Sequence, residues 1–310
     1  MRIAFIGQQD FGAAVLEAFL GRGDEIVGVF CAPEKEGAKP DILKRTALER
    51  GLPVFQFPSL KSDEAEAAMR GLGADIGIMA YVLQFAPQSF VNIPKHGTIQ
   101  YHPSLLPAHR GPSAINWPIA KGETRTGLSI FRPTDGLDEG PVILQKACEI
   151  GPDDTTGDVY FERLFPLGVA AMLEAADLVV SGRHVETVQD ESQASYEGWF
   201  RAPEATIHWA SHIDQIYDLI RAANPAPGAV TTLNGETLKI YDARKHPVRT
   251  IGEVKGKPGE VVAVGADSFH VTAQGGRIEI LIVRPESGGK MPAGEFARAK
   301  ALAPGAALGD

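Results

Sequence analysis

Short apolar runs separated by stretches of helical spacing recur through the first hundred residues, and this alternation leaves few architectures open. Arg2–Ile6 is strand-like, and Phe11–Leu20 then carries Phe11, Val15, Phe19 and Leu20 on one helical face. Glu25–Phe30, Val54–Gln56, Ile76–Ala80 and Thr98–Tyr101 continue the series of strands. Strands joined through helices run parallel and are covered on both sides. The expected fold class is therefore α/β, a Rossmann-like, mostly parallel sheet with helices on both faces. Gly7 and Gly12 are spaced Gly-x-x-x-x-Gly, unlike the Gly-x-Gly-x-x-Gly of dinucleotide sites, so they predict a tight strand-to-helix turn and no nicotinamide cofactor.

Further along, Leu128–Phe131 and Val142–Glu149 read as strands flanking the loop Thr134–Gly140, a hairpin-type excursion. A helix is expected from about Gly157 to Val180, kinked or divided at Pro166. Ser181–Pro203 is polar and aperiodic and reads as a surface linker. Beyond it, Ile213, Ile216, Tyr217 and Ile220 predict an amphipathic helix over Ser211–Ala223, started by Ser211 and stopped by Asn224-Pro225. Short strands follow at Gly228–Leu233, Thr237–Ala243, Glu260–Val264, Phe269–Thr272 and Arg277–Val283, the first two joined by the hairpin signal Asn234-Gly235. They suggest a small β-barrel of OB-like type. Lys290–Asp310 is expected to be a loop and fraying tail with a short helix over Ala293–Leu302. The domain reading is 1–203 and 204–310.

Whole-chain properties narrow the function classes. No run approaches the ~18 apolar residues of a membrane span, and the start Met1–Gly7 reads as a strand, so a cytoplasmic location is expected. Cys31 and Cys148 lack metal-ligand spacing and are expected as buried reduced thiols, with no metal bound. Residues 204–310 hold 12 Lys+Arg and 12 Asp+Glu, which leaves the whole net charge of −9 on residues 1–203. Neither part carries the positive field of a protein that tracks a phosphate backbone, so nucleic acid is disfavoured as partner. A local basic patch of Arg244, Lys245 and Arg249 is the exception to weigh.

The chemistry concentrates in two motifs. His102-Pro-Ser-Leu-Leu-Pro ends a β-rich run, and Asp138 follows 36 residues later in Asp-Gly-Leu-Asp-Glu-Gly. An imidazole and a carboxylate brought together by a fold make an acid–base pair suited to acyl transfer; the alternative is that His102 packs at a strand end and Asp138 caps a loop. Pro103 and Pro107 restrict the backbone after the strand, and His109-Arg110-Gly111-Pro112-Ser113 reads as a turn into a helix.

Taken in order, His102-Pro-Ser-Leu-Leu-Pro-Ala-His-Arg-Gly111 and Asp135-Gly-Leu-Asp138-Glu-Gly140 resemble the two catalytic signatures of the folate-dependent formyltransferase family. The stretch from Ile207-His-Trp to Pro227-Gly-Ala229, with Leu238-Lys-Ile240, is similar to the family's carboxy-terminal barrel, as in methionyl-tRNA formyltransferase. Ser113-Ala-Ile-Asn-Trp117, Pro152-Asp-Asp-Thr155 and Leu164-Phe-Pro166 bring the chain nearest in flavour to the hydrolase domain of 10-formyltetrahydrofolate dehydrogenase. The aldehyde dehydrogenase module of that protein has no counterpart here, so no redox activity is expected.

The resemblance implies 10-formyltetrahydrofolate as formyl donor, His102 as general acid/base and Asp138 as the carboxylate that holds it and the attacking group. It implies a pterin pocket framed by Leu83-Gln84-Phe85-Ala86-Pro87, with Gln84, Phe85 and Ala86 as binding residues. Family members that formylate amines resemble each other in an asparagine two residues before the histidine; the hydrolase branch has an apolar residue, and this chain has Gln100. Gln100 either restores an oxyanion contact from one methylene further out or faces away as part of the strand. Arg110 with the turn near Ser113 either binds an anionic part of substrate or is an ordinary surface arginine, and Asn116 either reaches the reacting group or is a structural amide. The acceptor is expected to be a small amine, with water as the close alternative; a non-catalytic folate-binding protein is the alternative of another class.

Overall fold

The computed structural model describes residues 1–248 and 254–309. In chain order its elements are β1 (Arg2–Gly7), α1 (Gln9–Gly21), β2 (Glu25–Phe30), α2 (Ile42–Glu49), β3 (Val54–Phe55), α3 (Asp63–Leu72), β4 (Ile76–Ala80), α4 (Gln88–Val91), β5 (Thr98–His102), α5 (Asn116–Ala120), β6 (Arg125–Phe131) and β7 (Val142–Glu149). There follow α6 (Thr156–Asp158), α7 (Phe165–Val180), α8 (Ile213–Ala222), β8 (Ala229–Leu233), β9 (Glu236–Pro247), β10 (Val261–Val264), β11 (Phe269–Ala273), β12 (Gly276–Pro285), β13 (Met291–Pro292) and α9 (Ala293–Ala299). The helix expected over 157–180 is divided: a π-helical turn, Val159–Leu164, separates α6 from α7, and Pro166, the second residue of α7, supplies no N–H to the helical ladder at that junction.

The first sheet has the order β3-β2-β1-β4-β5-β6-β7. Strands β1 to β5 pair in parallel and β6 runs antiparallel to β5. The chain winds outward from β1 to β3, returns beside β1 as β4 and then continues the other way. This doubly wound pattern opens a crevice at the carboxyl ends of the strands around the switch point. All of Ile3–Ile6 is buried, as a strand covered on both faces requires. Ala4, Ile6, Phe30 and Met79 join α3 and α4 residues in one apolar cluster, with Phe30 edge-on to Phe90. On the other face Phe11 of α1 packs against Tyr101 and Phe165. Gly7 serves close approach: a Cβ there would lie 2.2 Å from the Ala80 carbonyl of β4.

The second sheet is antiparallel, in the order β10-β11-β12-β9-β8, with β13 on β12. Asn234 and Gly235 join β8 to β9 with φ of 52° and 76°, the two left-handed residues a tight hairpin needs. The carboxy-terminal segment is ordered, contrary to the fraying expected of it. Ala307 bridges Glu260 and Leu308 bridges Leu233, so the tail lies between the outer strands and turns the open sheet into a barrel. Closing edges is the reason a tail would order: unpaired strand groups on both sides acquire partners. Leu308 is 4% exposed, and Leu308→Ala is expected to destabilise the protein by about 2 kcal/mol. Thermal or urea denaturation would check this.

Two compact units emerge, drawn differently from a single cut at 203/204. One comprises 1–111, 127–148 and 161–196, the other 112–126, 149–160 and 197–310. The extra stretches of the second unit are tied to α8: Asn116 donates to the Ala222 carbonyl, Tyr217 to Asp153, and Arg221 to the carbonyls of Gly151 and Asp154. Helix α8 starts one residue later than expected, capped by His212 with Gln215 reaching back, and not by Ser211. Cys31 is buried, which pushes its thiol up to about 11, while Cys148 is only half-buried. Arg249 of the basic patch lies outside the described residues. Among the described residues no helix is long and apolar enough to cross a membrane, and no cluster of His, Cys, Asp and Glu could hold a metal ion.

Candidate active site

Strand β5 carries Gln100 and His102 on one face and Tyr101 on the other, as the two-residue period of a strand dictates. Its pairing places Gln100 beside Met79 of β4 and Phe131 of β6, and His102 beside Ser129. The loop that carries Asp138 follows β6. His102 and Asp138, 5% and 7% exposed, meet with Nδ1 3.5 Å from Oδ2.

The hydrogen bonds around the pair bear on which imidazole nitrogen carries a hydrogen. His102 Nε2 lies 2.9 Å from the His109 carbonyl, an acceptor only, so Nε2–H donates. Nδ1 is left facing the Asp138 carboxyl, and that contact is attractive only when a proton lies between the two. Asp138 Oδ2 also accepts from Gly111 N–H at 3.0 Å. The backbone that makes this possible is bent on both sides. His109 and Asp138 have φ of 56° and 55°, a left-handed conformation that histidine and aspartate tolerate better than most side chains.

The loop after His102 is braced from β6 and β7. Ser129 Oγ donates to the Ser104 carbonyl and accepts from Leu106 N–H, and Gln145 donates to the Leu106 carbonyl at 2.7 Å. None of these residues stands out in the sequence, because a serine in a strand carries no signal until its partner loop is known. The segment expected to be a plain linker supplies the rest of the frame. Ser195 Oγ accepts from His109 N–H at 2.8 Å, the Ser195 carbonyl accepts from Arg110 N–H, and Gln189, 7% exposed, donates to the carbonyls of both Asp138 and Gly140.

Beside the pair lies a cavity of about 250 Å³. Its wall includes Met79, Val82, the loop Leu83–Ala86, Gln100, Phe131 and the loop Pro133–Asp138. Gln100 and Asp138 thus line the same cavity, and His102, in contact with Asp138, is not among its lining residues. Gln84 is in the wall, with its amide nitrogen donating to the Phe57 carbonyl at 2.8 Å. Phe85 is 47% exposed, with Lys61 Nζ 4.6 Å from its ring centre, so it forms the rim and shields less than a buried phenylalanine would. Ala86 is buried. Backbone groups of such a loop, with apolar neighbours, can read the edge of a flat heterocycle.

Arg110 and Asn116 are both engaged within the protein, the first against either reading open to it and the second as the structural amide it could be. Arg110 is neither a surface residue nor a free anion site: it is 8% exposed, and its guanidinium donates to Gln189 Oε1 and, through two nitrogens, to Glu191. That pairing holds the Glu191 carboxyl below its ordinary range. Asn116 is a structural amide bound to the Ala222 carbonyl, in the second compact unit. The turn at Ser113 leads into α5, a helix of five residues, and Ser113 Oγ accepts from Phe200 N–H.

Residues 1–175 match the family model described as formyl transferase, and residues 201–301 the one described as formyl transferase, C-terminal domain. The chain is 37% identical over 307 residues to mitochondrial 10-formyltetrahydrofolate dehydrogenase of Mus musculus, covering 96% of this chain and 33% of that protein. It therefore spans about a third of the length of that relative. It is 34% identical over 315 residues to methionyl-tRNA formyltransferase of Geobacter sulfurreducens, covering 100% of this chain and 97% of that one. Among solved structures, HypX from Aquifex aeolicus in complex with tetrahydrofolic acid superposes with a TM-score of 0.65 at 20% identity, over 96% of this chain and 47% of that one, a likeness of fold.

Proposed function

The chain belongs to the formyl transferase family, and from that premise we propose that it takes the formyl group of 10-formyltetrahydrofolate, passes it to a small amine and releases tetrahydrofolate. The observation that carries the proposal is the His102–Asp138 pair at 3.5 Å, with Asp138 and Gln100 entering the same cavity framed by the loop Leu83–Ala86. The pterin would lie along that loop with its N10-formyl group toward Asp138. The amine nitrogen attacks the formyl carbon, a C–N bond forms, and the carbonyl oxygen gains the negative charge of a tetrahedral intermediate. The pair gives the proton held between Asp138 and His102 Nδ1 to N10 as the C–N10 bond breaks, and Asp138 takes the proton of the attacking nitrogen in its place, so the enzyme ends as it began.

A second reading, transfer to water with formation of formate, is favoured by the near-complete enclosure of the pair, which suits a small nucleophile. A macromolecular acceptor such as tRNA fits less well, since residues 204–310 carry no net charge to hold a phosphate backbone.

The test is to incubate the protein with 10-formyltetrahydrofolate, with and without a panel of amines, and to follow tetrahydrofolate and formate. Tetrahydrofolate release that depends on one amine supports the proposal, and formate released without any amine supports the second reading. No release of tetrahydrofolate under either condition, with the ligand still bound, would reduce the protein to a folate-binding module.

A further inference from the structure

Gln189 stands outside both sequence motifs, 51 residues beyond Asp138 in a stretch without regular periodicity. It is nevertheless one of the few buried polar side chains of the first unit, and every hydrogen-bonding group of its amide is used. The NH2 group donates to the Asp138 carbonyl at 2.8 Å and to the Gly140 carbonyl at 2.7 Å. The oxygen accepts twice from Arg110, from Nε at 3.2 Å and from Nη2 at 2.8 Å. Arg110 can only donate, so its presence fixes which end of the amide faces the loop. Glu191 holds Arg110 in turn, at 3.0 and 2.7 Å.

We infer that Gln189 is a positioning residue for Asp138, with Arg110 setting the orientation of its amide. This rests on the reading of Asp138 and His102 as the acid–base pair. The physical case is that Asp138 sits at φ 55°, a conformation an unrestrained aspartate leaves readily. Its carboxylate is held at one oxygen by Gly111 N–H. Two donors anchoring the carbonyls on either side of Glu139 prevent the peptide planes from rotating, and so hold the Oδ2 to Nδ1 approach at 3.5 Å. The same arginine extends from the residue after His109, whose carbonyl receives His102 Nε2. One network thus fixes both partners of the pair relative to each other, and a displacement of about 1 Å between reacting groups can cost on the order of 10²-fold in rate.

Gln189→Glu keeps the side-chain length and an acceptor for Arg110 but turns the donor facing the two carbonyls into an acceptor. Gln189→Met removes donor and acceptor without adding charge. In the full chain, both are expected to lower kcat by roughly 10- to 100-fold, while KM for 10-formyltetrahydrofolate and the affinity for tetrahydrofolate stay within about threefold. A kcat within about twofold of the parent in either variant overturns the inference. So does a rise in KM matching the fall in kcat, which is what general loosening of the cavity wall would give. Should Gln189→Glu not accumulate as folded protein, Gln189→Met decides. Asp138→Asn, measured alongside, separates the two levels of the argument. If it retains kcat, the acid–base reading fails and the positioning role with it; if it loses kcat while the Gln189 variants do not, only the positioning role fails.

Discussion

Replacing His102 by alanine is expected to lower kcat for formyl release by roughly 10³- to 10⁴-fold, with Asp138→Asn close behind and the double variant little worse than the weaker single one. His102 Nε2–H is committed to the His109 carbonyl, so in the proposed mechanism only Nδ1 is left to exchange a proton with the reacting groups, through Asp138. Either residue alone leaves the proton without a second station, and two groups that act as one unit lose their effect together. Binding should survive: His102 is not among the residues that line the cavity, and Asp138→Asn keeps the shape of the wall residue it replaces, so tetrahydrofolate affinity should change by no more than about threefold. Steady-state kinetics with a ligand-binding measurement would check both statements. Additive losses in the double variant would show that the two residues act independently.

Gln100→Leu is expected to lower kcat by roughly 10²-fold, the usual cost of losing one oxyanion donor. Gln100 lies two residues before His102 on the same face of β5 and lines the cavity that Asp138 also lines, which supports the inward of the two orientations open to it in the sequence. An amide there can donate to the oxygen that becomes negative as the nucleophile adds. Gln100→Asn places the same amide one methylene nearer the backbone and should recover part of the rate if the contact is a donor to the oxyanion. Equal rates for the parent and the leucine variant would make the residue part of the scaffold. The pair of variants therefore distinguishes charge stabilisation from shape.

Much of the first unit was legible because it depends on periods that residues carry with them. Buried strands such as Arg2–Gly7 and Ile76–Ala80 announce themselves as apolar runs, and α1 by Phe11, Val15 and Phe19 on one face. The hairpin at Asn234-Gly235 was equally plain, since left-handed backbone needs those residue types. What escaped was long-range. The carboxy-terminal tail looked like a fraying end, because nothing in Gly305–Gly309 betrays that Glu260 and Leu233 offer it unpaired strand edges. The polar stretch after α7 looked like a linker for the same reason. Gln189 and Ser195 are ordinary polar residues until the carbonyls and amides of two distant loops are brought to them.

By itself the sequence determined the alternation of strands and helices, the family, and the two motifs whose His102 and Asp138 the fold brings together. These follow from local propensity, hydrophobic period and motif, properties read within a few residues of each position. Only the tertiary structure decided that Arg110 is buried on Gln189 and Glu191 and not offered to a ligand, that Asn116 belongs to the second unit, and that Asp138 both touches His102 and lines the cavity. Each of those facts is a pairing of polar groups far apart in the chain. Burial forces such groups to find partners, and which partner is available depends on where the whole fold brings the backbone.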